Sequence, residues 1–366
     1  MEIIIEKQAL INAFDKIGKI LPAKPVINST GGILIEAKKD GISIISTDLQ
    51  LTIKTFIEAK VKDKGVILVP GKNLISLIKK IPEDTIKITQ TDNYVVIDNK
   101  SFQYKFLLMN VDEYPKLPLE NESFTGLDNL SISTSDLFEM IKKTSYCVNP
   151  GDPRSCFRGV LLDKQNGILN MVASDTKRLA LVKKQAGTDI NIKVILPLRL
   201  IEVLPLIFKE SDITMFFSKN QVILQSERTT LISQLLEGNF PDYEKVIPAS
   251  DQLNTAIINT NLFHDSLERL SLMSNENFRA IKMNFRNNLL VLYIESPDSG
   301  SGEEKLNVNY SGPENTIIFN PDYLIQFLKT VTTEEIEFSF QGPVKSAKLC
   351  EKGNPNYLYV AMPIKP

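Results

Sequence analysis

The chain has 366 residues, 43% of them apolar and 23% charged, with a formal net charge of −2. That composition excludes a disordered chain, fits a globular protein of two or three domains, and gives no global pull onto a polyanion. No apolar run reaches the ~18 residues of a bilayer span, and the opening MEIIIEKQAL lacks the basic region and cleavage site of a signal peptide, so a cytoplasmic protein without membrane contact is expected.

In chain order, the first helical pattern, near residues 8–20, sets Leu10, Ala13, Phe14 and Ile17 on one stripe and leaves Lys7, Lys16 and Lys19 outside it. GGILIEAKKDGISIISTDLQLTI then alternates as strands about a turn at Asp40-Gly41. A helix near 72–81 buries Leu74, Leu77 and Ile78 and exposes Lys72, Lys79 and Lys80. FLLMNVDEYPKLP closes the segment with Tyr114-Pro115 and Pro118, because proline cannot donate to a ladder and begins an extended linker. The third helix, near 136–146, packs Leu137, Met140 and Ile141 and is expected to turn Lys142 and Lys143 outward. RGVLLDKQNGILNMVASDTKRLAL repeats the strand pattern about Asn166-Gly167 and sets Ser174-Asp175 opposite Thr47-Asp48. EGNFPDYEKVIP closes this second segment at Phe240-Pro241 and Pro248. Later helices carry Arg199, Lys209, Arg269 and Lys329 among Asp265, Glu268 and Asp322, so their basic bias is thinner. The last strands, RAIKMNFRNNLLVLYIES, turn at Asn287-Asn288, and YLYVAMPIKP follows at the end.

These elements form one pattern stated three times with a period near 125 residues. IIIEKQALINAFDKI aligns with LSISTSDLFEMIKKT and TAIINTNLFHDSLERL, placing Leu10, Leu137 and Leu262 at one position. VPGKNLISLIKKI, LPLRLIEVLPLI and FNPDYLIQFLKTV form a second set, with Pro70, Pro197 and Asn320 each four residues ahead of Leu74, Ile201 and Leu324. The first and second anchors stand 64, 64 and 62 residues apart. Each copy reads strand, helix and several strands, twice: an α+β unit of two βαβββ halves, over residues 1–120, 128–248 and 254–366. Lysines at equivalent helical positions would add to one stripe suited to phosphates without base readout.

Chemistry-bearing motifs are sparse. Cys147, Cys156 and Cys350 are scattered, with no CxxC or histidine partner, so neither a disulfide framework, a metal site nor a cofactor is expected. His264 lies on a helical pattern with no nucleophile motif, which argues for a solvated histidine. An enzyme reading would rest on Asp175 and Asp242 alone, without a phosphate loop or nucleophile elbow.

The threefold repeat, ASDTKRLAL, NFPDYEKVIP and YVAMPIKP together resemble the bacterial β sliding clamps, the processivity subunits of replicative DNA polymerase III, over the whole chain. The resemblance implies a non-catalytic, head-to-tail homodimeric ring with helices lining a central hole that encloses duplex DNA without sequence specificity. It places Lys24 and Arg154 near the DNA beside the helical Lys7, Lys16, Lys19, Lys72, Lys79, Lys80, Lys142, Lys143 and Arg199, and a subunit contact at Phe106 and Leu108 of one copy with Leu272 and Met273 of the other. It also implies a pocket for short linear motifs of the replicative polymerase, clamp loader and repair proteins. Its wall would hold Phe157, Ser174, Thr176, Lys177, Arg178, Leu179, Pro241, Lys245, Val246, Phe278, Val344, Ser346, Val360, Met362, Pro363 and Ile364. Methionine and aliphatic groups suit a surface that repacks around different peptides.

Thr176-Lys177 stands where the family has Gly-His, and Ile364-Lys365-Pro366 where it has Met-Arg-Leu, so a stiffer turn and altered motif preference are expected. A repetitive peptide-binding scaffold that never encircles DNA is the alternative reading.

Overall fold

The protein is described by a computed structural model covering residues 1–99, 101–116, 124, 126–187, 190–209, 212–226, 228–249, 253–274, 279–297 and 299–365. The first copy runs β1 (Glu2–Glu6), α1 (Lys7–Ile17), β2 (Gly32–Lys38), β3 (Gly41–Thr47), β4 (Leu51–Glu58), β5 (Lys60–Asp63), β6 (Gly65–Pro70), α2 (Gly71–Lys80), β7 (Thr85–Thr91), β8 (Tyr94–Asp98) and β9 (Gln103–Leu107). The second runs β10 (Asp128–Ile132), α3 (Thr134–Thr144), β11 (Gly159–Gln165), β12 (Ile168–Ser174), β13 (Arg178–Gln185), β14 (Ile192–Pro197), α4 (Leu198–Ile207), β15 (Ile213–Phe217), β16 (Gln221–Ser226) and β17 (Thr229–Gln234). The third runs β18 (Asn254–Asn259), α5 (Thr260–Ser271), β19 (Ile281–Arg286), β20 (Leu289–Ser296), β21 (Gly300–Asn307), β22 (Asn315–Phe319), α6 (Pro321–Leu328), β23 (Glu335–Phe340), β24 (Ala347–Glu351) and β25 (Asn354–Ala361). Every copy is therefore βαβββ twice over, with β5 an addition to the first.

The helices form where apolar residues recur at helical spacing. α1 buries Leu10, Ala13, Phe14 and Ile17, and α6 starts with Pro321 at its first turn while the Asn320 side chain accepts from the Asp322 N–H. The third copy corrects one alignment. Phe263, fully buried, occupies the fourth helical position held by Leu10 and Leu137, whereas Leu262 is 58% exposed. Leu262 lies one residue, about 100° of helical rotation, away from the core stripe.

All four sheets are antiparallel, in the orders β5-β1-β7-β8-β9, β10-β15-β16-β17-β4-β3-β2-β6, β14-β11-β12-β13-β25-β24-β23-β18 and β21-β20-β19-β22. The two eight-stranded sheets run across copies: β17 pairs with β4 (Leu231 opposite Ile53), and β13 with β25 (Leu179 opposite Val360). The chain consequently divides into two compact units, residues 1–135 with 202–235, and 136–201 with 236–366. In the first unit α1 packs on α2, β3 and β4. In the second, α5 packs on α6, β20 and β21, and α6 reaches β25.

Candidate functional site

The second unit contains the turn that ends β12. Ser174 Oγ donates to the Arg178 carbonyl (2.8 Å) and accepts from the Thr176 N–H (3.1 Å), while Asp175 Oδ1 accepts from the N–H groups of Lys177 and Arg178 (2.9 and 3.0 Å). A Ser-Asp pair so placed closes the loop with side-chain acceptors that mimic backbone. Thr176 is thereby held at φ 73°, in the left-handed region where a β-branched residue is strained.

Arg178, 8% exposed, leaves this turn inward. It donates to Asp175 Oδ2 (2.9 Å), Gln326 Oε1 (2.8 Å) and the Tyr146 carbonyl (2.7 Å), and its guanidinium lies 4.5 Å from the Tyr323 ring centroid. A planar, five-donor cation can satisfy all of these at once, which lysine cannot. A cavity of about 460 Å³ opens here, lined by Val148, Asn149, Asp152, Asp175, Thr176, Lys177, Arg178 and Tyr323.

An apolar cluster adjoins it. Phe157, Leu179, Phe240, Tyr243 and Val360 are buried together, with Ile247 packed against them, and Phe157 meets Phe240 edge-on at 5.8 Å. The chain after β25 stays at this wall, since the Met362 N–H donates to the Lys177 carbonyl (2.8 Å) and the Ile364 N–H to the Ile318 carbonyl (2.8 Å). Met362, Val344, Val246 and Ile364 keep 45%, 53%, 47% and 39% of their surface exposed, an apolar set open to a ligand. Pro241 and Lys245 are exposed, with Lys245 paired to Asp242 at 2.9 Å, and Pro363 and Ser346 are partly buried. Phe278 lies outside the described residues.

Sequence reasoning missed Tyr323, Gln326, Tyr146 and Asp152, because each comes from an element remote from ASDTKRLAL and carries no local motif. Arg154, expected near DNA, forms a two-pronged pair with Asp152 (3.0 and 3.0 Å) and lies 4.4 Å over the Phe157 ring, so it borders the same pocket. Hydrogen bonds from Arg154 hold the Asp152 carboxyl below the usual carboxylate range.

The basic residues divide by placement. Lys19, Lys24, Lys72, Lys79, Lys80, Lys142 and Arg199 are exposed. Lys72 donates to the Ala23 carbonyl (2.7 Å), and Lys79 pairs with Asp15 (2.7 Å). Lys7 is half-buried and caps the end of α2 through the Ile81 carbonyl (2.6 Å). Lys16 donates to Thr229 Oγ1 (3.1 Å); burial pulls its ammonium below the usual lysine value, and repulsion from Lys209 adds to this. Lys143 is a correction. It is 2% exposed, paired to Glu351 (3.1 Å) and Glu139 (3.0 Å), because Glu351 at the end of β24 and the Tyr357 ring of β25 meet the ammonium expected to reach solvent. On α5 and α6 the cations are neutralised, Arg269 by Glu304 (2.7 Å) and Lys329 by Glu268 (2.9 Å).

Among the eight strands that end the four sheets are β9 in the first unit and β21 in the second. Phe106 and Leu108 on and after β9 are half-exposed and Leu107 is 61% exposed. Beside β21, Leu272 is 78% exposed, and Met273 lies over Gly302.

No helix among the described residues is long and apolar enough to cross a membrane, and none of their His, Cys, Asp and Glu side chains cluster in a set that could hold a metal.

Three tandem α+β copies, with two sheets that each continue from one copy into another, define a class of repeat-built proteins. The three family models for the DNA polymerase III beta subunit match in order: the N-terminal domain over residues 1–118, the central domain over 131–242 and the C-terminal domain over 244–365. The chain belongs to the DNA polymerase III beta subunit family, the beta sliding clamps. It is 26% identical over 369 residues to the beta sliding clamp of Chlamydia pneumoniae, covering 100% of this chain and 99% of that one. The DNA polymerase III subunit beta of Pseudomonas aeruginosa shares 25% identity and a TM-score of 0.94 over 100% of both chains. The Bacillus subtilis DNA polymerase sliding clamp, 24% identical, shares the fold with a TM-score of 0.94 over 100% and 99%.

Proposed function

We propose that this chain is a DNA sliding clamp: two copies join head to tail into a ring that encloses duplex DNA and tethers the replicative polymerase, clamp loader and repair proteins. The observation that carries this reading is the ordered match of all three copies to the beta subunit domains. The protein acts without chemistry of its own, in the cytoplasm and away from membranes. Its partners' short linear motifs dock on the wall formed by Leu179, Val360, Met362 and their neighbours, which the half-exposed methionine and aliphatic groups favour. The subunit contact would join β9 of one copy to β21 of the other, each an open edge that a partner strand satisfies. Phe106, Leu107, Leu108, Leu272 and Met273 would be its apolar part.

Retention by enclosure needs only weak attraction, and net charge −2 with exposed Lys19, Lys24, Lys72, Lys79, Lys80, Lys142 and Arg199 fits that requirement. The test is loading onto nicked circular DNA followed by linearisation. A ring slides off the linear form; retention after linearisation, or a monomer of 41.1 kDa at micromolar concentration, would favour a scaffold that does not encircle DNA.

A further inference from the structure

The turn built by Ser174 and Asp175 exists a second time. Thr47 Oγ1 donates to the Leu51 carbonyl (2.9 Å) and accepts from the Leu49 N–H (3.1 Å), Asp48 Oδ1 accepts from the N–H groups of Gln50 and Leu51 (3.0 and 2.7 Å), and Leu49 sits at φ 77°. The strand beside it also matches. The Gln234 N–H donates to the Gln50 carbonyl (3.2 Å), as the Met362 N–H does to the Lys177 carbonyl (2.8 Å). Pairing places Thr52 opposite Ile232, where Leu179 meets Val360 in the other turn.

A cleft of about 260 Å³ lies at this first turn. Its lining differs in kind, with Gln50, Gln221 and Gln234 in the wall, Leu49, Ile232 and Pro115 as the apolar remainder, and Lys116 at the rim. The Thr47 proton goes to the Leu51 carbonyl and the Thr52 hydroxyl donates to Thr47 Oγ1 at 2.9 Å, so neither offers a donor to a ligand. The side-chain amides of the three glutamines hydrogen-bond to no other described residue. A carboxamide offers two donors and an acceptor, which match the alternating C=O and N–H groups of an extended chain. Among the described residues that line the cleft, Lys116 is the one that carries a charge.

We propose that this cleft is a second peptide site, which holds an extended acidic segment of a partner protein by its main chain, with a carboxylate near Lys116. It would read little side-chain sequence, unlike the apolar wall at Met362, and it does not depend on ring closure.

The probe is a fluorescein-labelled acidic peptide of Gly, Ser, Asp and Glu, titrated against the full-length chain, with a photo-crosslinking version to map contacts. Saturable binding with crosslinks to residues 47–52 or 232–234 is expected. Gln221→Ala with Gln234→Ala should weaken it about tenfold, by the loss of two hydrogen bonds. Lys116→Gln, on an exposed side chain whose replacement leaves packing intact, should weaken it too and lessen its salt dependence. Met362→Ala with Pro363→Ala should leave it unchanged. Absence of saturable binding, indifference to the glutamine and lysine changes, or equal loss in the Met362 variant would each overturn the proposal, while the DNA-retention assay stands or falls separately.

Discussion

The turns at residues 47–51 and 174–178 share a hydrogen-bond plan, a left-handed central residue and a neighbouring strand, yet they diverge at their last position. The first ends in Leu51, 1% exposed and packed in the core, and the second in Arg178, also buried but ion-paired and set against the Tyr146 and Tyr323 rings. Backbone geometry was settled by a hydroxyl and a carboxylate two and three residues from the N–H groups they accept. The side chains beyond them differ: Leu179, Val360 and Met362 flank the second turn, and Thr52, Ile232 and Gln234 the first. A repeat thus conserves the scaffold of a site while its contents change.

The largest test of this contrast is Arg178→Leu, which makes the second turn imitate the first. It leaves Asp175 and the Tyr146 carbonyl without their buried partner and should cost about 3–5 kcal/mol in chemical denaturation. Should the loss stay under about 1 kcal/mol, the Arg178 network would be ornamental.

Acid sharpens the difference next. Burial raises the Glu351 carboxyl, but the Thr332 N–H, Asn354 and Lys143 outweigh it and hold the group below its usual value of 4.5. A depressed folded value means that this contribution is complete above the unfolded value and is lost as pH falls through the folded one. Stability of the second unit should therefore decline below pH ~4.5, and Glu351→Gln should flatten that decline at a cost of about 3 kcal/mol near neutrality. Urea midpoints across pH would show it.

Exchange of linings is a middle-sized effect. Met362→Ala with Pro363→Ala should cut affinity for an apolar clamp-binding peptide by about 2 kcal/mol, roughly thirtyfold. Thr52→Leu with Gln234→Met should confer measurable affinity for the same peptide on the first cleft. Calorimetry that finds equal affinities for the wild type and the Met362 variant would remove the pocket assignment.

The smallest effect concerns Thr176 at φ 73°. Thr176→Gly should stabilise the chain by about 1 kcal/mol, since glycine adopts this conformation without a Cβ clash. A thermal melt that moves downward would mean that the threonine makes a compensating contact.

Much of this was legible in the sequence because periodicity survives divergence: the copies, their βαβββ halves and the core stripes of α1 and α3 follow from apolar spacing alone. The misplacement of Leu262 shows the limit, since a one-residue shift preserves a leucine match while rotating it off the stripe. Lys143 shows another. A helical wheel marks its position as outward, and only the arrival of β24 from the third copy turns that face into an interior with a carboxylate waiting in it.

The sequence by itself determined the local hydrogen-bond chemistry, from Thr47-Asp48 and Ser174-Asp175, and the number and order of the repeated copies. Tertiary structure decided which strands the sheets add across copies, which basic groups meet water, and which distant side chains gather at Arg178. Those outcomes depend on contacts between residues far apart in the chain, such as Leu179 with Val360, for which no local pattern exists to be read.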